Sequence, residues 1–286
     1  MTQTVAVGST VRVPSAVAVG SRFDRYKPEE EKVVRKVEVK EDAVLRQLKA
    51  AWKKFDYAHD PETGLTDNYR KADTEVKRIR YSAKDVENFS LAMVEFQDEE
   101  GFSRKAGYFL SALVNNCKDT DYVIHTQHLS QKIDCVGYRN TKNIIVNGNV
   151  NTIFGYEMSG GSITVNGNAG VDAGQRLLGG AIAINGNVDG SLGLGMEHGS
   201  ITVNGDAKDY GGQLMNGGTI IVNGNVGDNI GFNMAGGTII VNGNAGNVVG
   251  DLMRRGEIHI EGDYGGLSKR IKGGKIYHKG KLIVDR

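Results

Sequence analysis

His125 and His128 stand three residues apart, a spacing at which two imidazoles can reach one metal ion. A zinc site needs at least three protein ligands. Tyr122-Val123-Ile124-His125 reads as a strand running into a loop, and no third ligand lies nearby in the sequence. A surface or core role is therefore the expectation for both rings. Cys117 and Cys135 are the only cysteines, too few for a disulfide framework and consistent with a reduced, cytoplasmic setting. Cys117 follows Asn115-Asn116 at the end of a helical pattern, where a lone thiol is a small buried residue more often than a nucleophile.

The second half of the chain holds a recurrent Asn or Asp at Asn149, Asn168, Asn187, Asp206, Asn225, Asn244 and Asp263. Calcium-binding β-rolls also carry periodic Asp, but on a nine-residue unit. Here the unit is twice as long and mostly neutral Asn, so a stacked amide ladder is expected rather than a metal site. Glycine-rich loops cradle phosphate where a strand feeds a helix, and these glycines feed further strands. An ice-binding surface would need a regular threonine array, and the corresponding column offers only Thr164 and Thr202. No serine elbow, paired carboxylate set or CxxC cluster is present. Tyr138, Arg139, Tyr156 and Arg176 remain as candidates for a ligand groove where the two halves of the chain meet. No cofactor or metal is expected.

The elements that would position these residues follow from a repeat. Asn-Gly recurs at Asn147, Asn166, Asn185, Asn204, Asn223 and Asn242, always 19 residues apart, and Glu261-Gly262 continues the register. A fixed period of this size marks a solenoid. Three residues before each Asn stands Ile144, Ile163, Ile182, Ile201, Ile220, Ile239 or Ile258. One residue before it stands Val146, Val165, Ile184, Val203, Val222, Val241 or Ile260. Residues two apart share one face of a strand, so these columns predict a core of stacked aliphatic side chains. The column between them (Ile145, Thr164, Ala183, Thr202, Ile221, Ile240, His259) must then face outward.

Asn-Gly is expected to turn the chain through positive φ. A second apolar arm begins at Val150, Ala169, Val188, Ala207, Val226 and Ala245. A third corner is expected at Gly155, Gly174, Gly193, Gly212, Gly231 and Gly250, with Met158, Leu177, Met196, Met215, Met234 and Met253 inside. Antiparallel hairpins, the usual consequence of Asn-Gly, would not hold identical columns at a uniform step. Collagen fails for want of proline, with only 3 in the chain against 40 glycines. The predicted fold is mainly β: a right-handed parallel β-helix of 19-residue coils, seven or eight of them and roughly 35 Å long at about 4.8 Å per coil, preceded by a small α-helical region.

The pattern I-x-V-N-G-N-x-G-x-x-x-G-x-x-M-x-G-G, seen in SITVNGNAGVDAGQRLLGG and TIIVNGNVGDNIGFNMAGG, resembles the GXGXG β-helix. That domain closes the large subunit of glutamate synthases and forms the C subunit of formylmethanofuran dehydrogenases and related formyltransferase complexes. The resemblance covers about half the chain. It implies a structural or bridging part without catalytic residues of its own.

Three segments are expected: a flexible stretch over residues 1–40, a helical cap region over 41–136, and the β-helix over 137–286. Val44, Leu45, Leu48, Ala51, Trp52 and Phe55 follow helical spacing, and Asp60-Pro61 breaks the chain. Ser82 and Asp85 form a capping-box signature, Val86, Phe89, Met93 and Phe96 line a second helix, and Ser103 is a candidate cap for a third. Gly137-Tyr138-Arg139-Asn140 looks like a degenerate copy of Gly155-Tyr156-Glu157-Met158. The helices would cover the first coil, and Lys269, Arg270 and Lys272 would form a charged stop at the other end.

Net charge is +1 and no apolar run is long enough to span a bilayer, so neither nucleic acid nor membrane is an expected partner. Residues 1–22 lack the apolar run of a secretory signal. Two function classes remain. The first is a non-catalytic interaction subunit, contacting other subunits or a second copy of itself through Ile145, Ile221 and Ile240. The second is an oxidoreductase- or transferase-associated ligand-binding protein using the Tyr138–Arg176 groove.

Overall fold

The computed structural model describes residues 41–58 and 64–286, so the segment 1–40 and most of the break at Pro61 lie outside the described residues. The N-terminal part contains four α-helices among the described residues: α1 (Ala43–Lys54), α2 (Gly64–Val76), α3 (Ala83–Ala92) and α4 (Phe102–Asn116). Asp42 caps α1 by accepting from Leu45 N, and the buried stripe is Leu45, Leu48, Ala51 and Trp52. Ser82 and Asp85 form the capping box that opens α3. The Trp52 ring sits among Phe89, Phe96, Phe102 and Phe109 at centroid distances of 5.3–6.2 Å. Its indole N–H donates to the Glu99 carboxylate at 3.1 Å.

Two features of this region differ from the sequence expectation. The cap residue of α4 is Gly101, at φ 71, and Ser103 lies inside the helix, where its hydroxyl donates to Lys132 O at 2.6 Å. Helix α2 was not anticipated. Its sequence is polar, and it is held by the buried Ala72 and Val76 and by Asn68, whose amide exchanges two 2.9 Å hydrogen bonds with the Ala58 backbone.

The rest is a parallel β-solenoid. Strands β1 (Asp121–His125), β2 (Asn143–Asn147), β3 (Ser159–Asn166), β5 (Gly179–Ile184), β7 (Ser200–Val203), β8 (Thr219–Val222), β9 (Thr238–Val241), β10 (Glu257–Ile260), β11 (Lys275–His278) and β12 (Lys281–Asp285) form one ten-stranded sheet in that order. Short strands β4 (Ala169–Val171) and β6 (Val188–Gly190) begin a second face. Single bridges extend it through Ala207, Val226, Ala245 and Tyr264. From β2 to β10 the register steps by 19: Ile144 lies beside Ile163, Ile182, Ile201, Ile220, Ile239 and Ile258 in turn. This column and the Val/Ile column beside it are buried, as are Met158, Leu177, Met196, Met215, Met234 and Met253.

Strand β1 pairs in parallel with β2, which puts the first strand of the stack at Asp121, ahead of Gly137. This coil has no Asn-Gly. Thr126 and Gln127 take the corner, and both backbone N–H groups donate to Asn147 O. Helix α4 lies across the same coil. Ser111 Oγ accepts from Gly137 N and Tyr138 N and donates to Cys135 O, and the missing Cβ of Gly107 makes room for the Asp134 carbonyl. At the far end β12 runs antiparallel to β11, so the stack ends in a hairpin.

The corners also correct the expectation. In the Asn-Gly column only Gly148 has positive φ. The other glycines are required by the coil beneath: a Cβ on Gly205 would stand 2.6 Å from Gly186 O. Left-handed backbone is concentrated at the third corner instead. It includes the expected glycines, such as Gly174 and Gly193, and on both sides of them non-glycine residues such as Tyr210, Val248, Arg176 and Leu214.

Candidate functional site

The Asn columns bond along the rod axis. Asn166, Asn185, Asn204, Asn223 and Asn242 each donate from Nδ2 to the Oδ1 of the Asn one coil earlier, at 2.7–2.9 Å. In the second column each side-chain Oδ1 accepts the backbone N–H one coil later, from Asn149→Asn168 through Asn244→Asp263, at 2.7–2.9 Å. Their oxygens are therefore engaged, and no group of three or more His, Cys, Asp or Glu among the described residues could hold a metal.

The outward column of the large sheet carries the candidate interface. Ile221 and Ile240 are directly opposed across β8 and β9. Each is half-buried by its neighbours, whereas Ile145 is 44% exposed. Thr164, Ala183 and Thr202 lie between, and His259 stacks on Tyr277 at 4.4 Å to extend the column. Ile145 and Thr164 also line an open depression of about 370 Å³ with Val123 and Asn143.

The four groove candidates do come together. Tyr138 and Tyr156 stack at 5.6 Å with their planes 3° apart, because Gly137 and Gly155 are equivalent left-handed corners of successive coils. Tyr138, however, is fully buried. Its ring fills the seam between helices and solenoid against Tyr69 and Tyr108, so it closes the seam rather than lining a groove. Tyr156 is also buried, and burial raises its phenol pKa. Arg139 Nε donates to Glu157 at 2.9 Å, and Arg176 approaches the other carboxylate oxygen at 3.7 Å. The hydrogen bond to Glu157 raises the Arg139 pKa.

The remaining sequence candidates are separate. His125 Nε2 lies 3.2 Å from Glu87 Oε1. The ring nitrogens of His128 are closed off from solvent, and burial lowers its pKa. Cys117 is buried, its thiol directed at Tyr81 O at 3.4 Å. Cys135 is buried as well, which pushes its thiol up to about 12. Cys135 is therefore not poised as a thiolate.

One feature was not read from the sequence. A groove of about 440 Å³ runs along the third corner, from Arg176 past Leu194, Leu214 and Asn216 to Arg254. Its signal was the pair of columns flanking Leu177, Met196, Met215, Met234 and Met253, whose residues vary from coil to coil.

Fold and surface together define a helix-capped parallel β-solenoid. No helix among the described residues is long and apolar enough to cross a membrane. No family model matches the chain, and no curated protein matches it. Among solved structures it is similar to the formyltransferase/hydrolase complex from Methylorubrum extorquens in complex with methylofuran. The identity is 29% and the TM-score 0.45, over 51% of this chain and 57% of that one. The match thus spans just over half of that protein's length.

Proposed function

We propose that this chain is a structural and interaction subunit of a multi-subunit assembly, of the glutamate-synthase-like or formylmethanofuran-dehydrogenase-like kind that its repeat resembles. The observation that supports this reading is the fate of the recurrent columns. Ile, Val and Met fill the interior, corner glycines admit the neighbouring coil, and Asn side chains bond to one another. The residues left to vary face outward, and there the chain places Ile145, Ile221 and Ile240. Apolar side chains in register on a flat sheet face suit contact with another flat face. A second copy related by a two-fold axis is the simplest occupant.

The alternative, a ligand-binding protein, has less behind it. Tyr138 is closed off, and Glu157 already holds both arginines. The test is the double variant I221K/I240K. Its interior ladders are intact, so circular dichroism should be unchanged while light scattering reports a smaller particle. An unchanged mass overturns the interface, and lost stability at constant mass assigns the pair to contacts within the chain.

A further inference from the structure

Along most of the rod, a basic side chain at a corner finds a carboxylate about one coil away. Arg139 and Arg176 share Glu157, Lys208 pairs with Asp189 at 2.9 Å, Arg270 with Asp251, and Lys279 with Asp263 at 2.9 Å. Lys142, Lys275 and Lys281, at strand starts, lack an ion pair among the described residues, but four further cations without one cluster at a single corner: Arg254, Arg255, Lys269 and Lys272. All four are exposed, and none has an ion-pair partner among the described residues. They gather at the third corner of the last two coils. Lys272 N donates to Met253 O just as Arg254 N donates to Met234 O, so Arg254 and Lys272 occupy the same column on adjacent coils. Like charges stacked at coil spacing, about 4.8 Å, repel. An anion seated against them would remove that repulsion.

The cluster is continuous with the groove, because Arg254 closes the groove's end. Arg176 stands at the other end, four coil steps or about 19 Å away. Between them lie Leu194, Gly195, Leu214 and Ala235. Leu214 is 41% exposed, held outward by left-handed backbone at φ 57. Leucines and small residues share the lining with polar side chains such as Asn216 and Asn233, and cations stand at the ends. About 19 Å accommodates roughly six residues of extended chain. No aromatic ring lines the groove, so it lacks the stacking platform of a single-strand nucleic-acid site.

From this arrangement we infer that the third-corner groove and the basic end receive an extended, carboxylate-bearing segment of a partner protein, with apolar side chains against Leu194 and Leu214 and acidic ones against Arg254 and Lys272. This rests on the reading of the chain as an interaction subunit but concerns a different face from the Ile221–Ile240 column. The test uses the full chain and a fluorescent peptide of about six residues alternating Leu and Glu. Fluorescence anisotropy should show binding that weakens with salt. Binding should fall by about tenfold or more for the matching Leu-Gln peptide and for R254E/K272E. Leu214→Asn, a residue that the same column already tolerates as Asn233 at φ 53, should weaken it without changing the salt dependence. R254Q/K272Q serves if charge reversal disturbs folding.

Absence of binding by the Leu-Glu peptide overturns the inference. So does equal binding by R254Q/K272Q with an unchanged circular dichroism spectrum. Tighter binding of an oligothymidylate at the same cations would replace the peptide by nucleic acid. Light scattering on R254E/K272E should show an unchanged mass, so failure here is distinguishable from failure of the Ile221–Ile240 interface.

Discussion

A Cβ placed on Gly193 would stand 2.6 Å from Cδ1 of Ile220, one coil on. The corner glycine and the core isoleucine are therefore a matched pair, since the ladder of long side chains fits only because the corner above it has none. Gly193 also sits at φ 67. Gly193→Ala should cost about 1–3 kcal/mol for the overlap, with about 1 kcal/mol more for left-handed alanine. Gly195 at φ 64 has nothing nearer than Arg176 Cγ at 3.7 Å, so Gly195→Ala should cost only the backbone contribution. Urea titration of both variants separates the two effects, and equal losses would remove the steric argument.

Ile201 is fully buried and Thr202, its neighbour in β7, faces out. Ile201→Ala should lose about 2–5 kcal/mol, whereas Thr202→Ala should lose well under about 1 kcal/mol. Chemical denaturation of the pair reads the inside and outside of the sheet directly.

Val248 adopts φ 61, a conformation that β-branched side chains tolerate poorly, yet it is 38% exposed. The equivalent residue one coil earlier is Asn229, also at φ 61. Val248→Asn gives up little burial and should raise stability by about 0.5–1 kcal/mol. A lower melting temperature would show that the valine has packing worth more than its strain.

Asp251 accepts from Arg270 Nε at 2.9 Å and Ser268 Oγ at 2.6 Å. The bond from Arg270 is the main cause holding its carboxyl below the ordinary range. A depressed folded pKa favours the folded state above the unfolded value, near about 4, and that contribution is lost as pH falls through the folded one. The wild type should therefore lose melting temperature more steeply than Asp251→Asn below about pH 4. Parallel curves for the two would mean that the pair does not contribute.

The 19-residue period made the core legible because interior and outward columns must alternate on a strand, and each copy repeats the evidence. The Asn ladder was legible for the same reason. What the period hides is the reason a glycine is kept. Gly205 and Gly193 look alike in the sequence, yet one answers to a carbonyl in the coil beneath and the other to left-handed backbone and an isoleucine. Strand β1 was readable as a strand but not as a coil, since its corner uses Thr126 and Gln127. Helix α2 is too polar for apolar spacing to reveal it. The third-corner groove was missed because it is built from columns with no recurrent residue type.

The ladder of Asn147 to Asn242 has a sense. In each link the nitrogen points toward the N-terminal coil and the oxygen receives from the C-terminal one. The amide dipoles therefore align head to tail, with the positive end toward the helices and the negative end toward the last coils. Glu261 occupies the next position and, as a carboxylate, has no donor to offer Asn242. The array thus terminates on its negative pole, at the same end of the rod as Arg254, Arg255, Lys269 and Lys272 but at a different corner. Its two ends differ in electrical sign as well as in shape, so the rod carries a built-in direction that any assembly on it inherits.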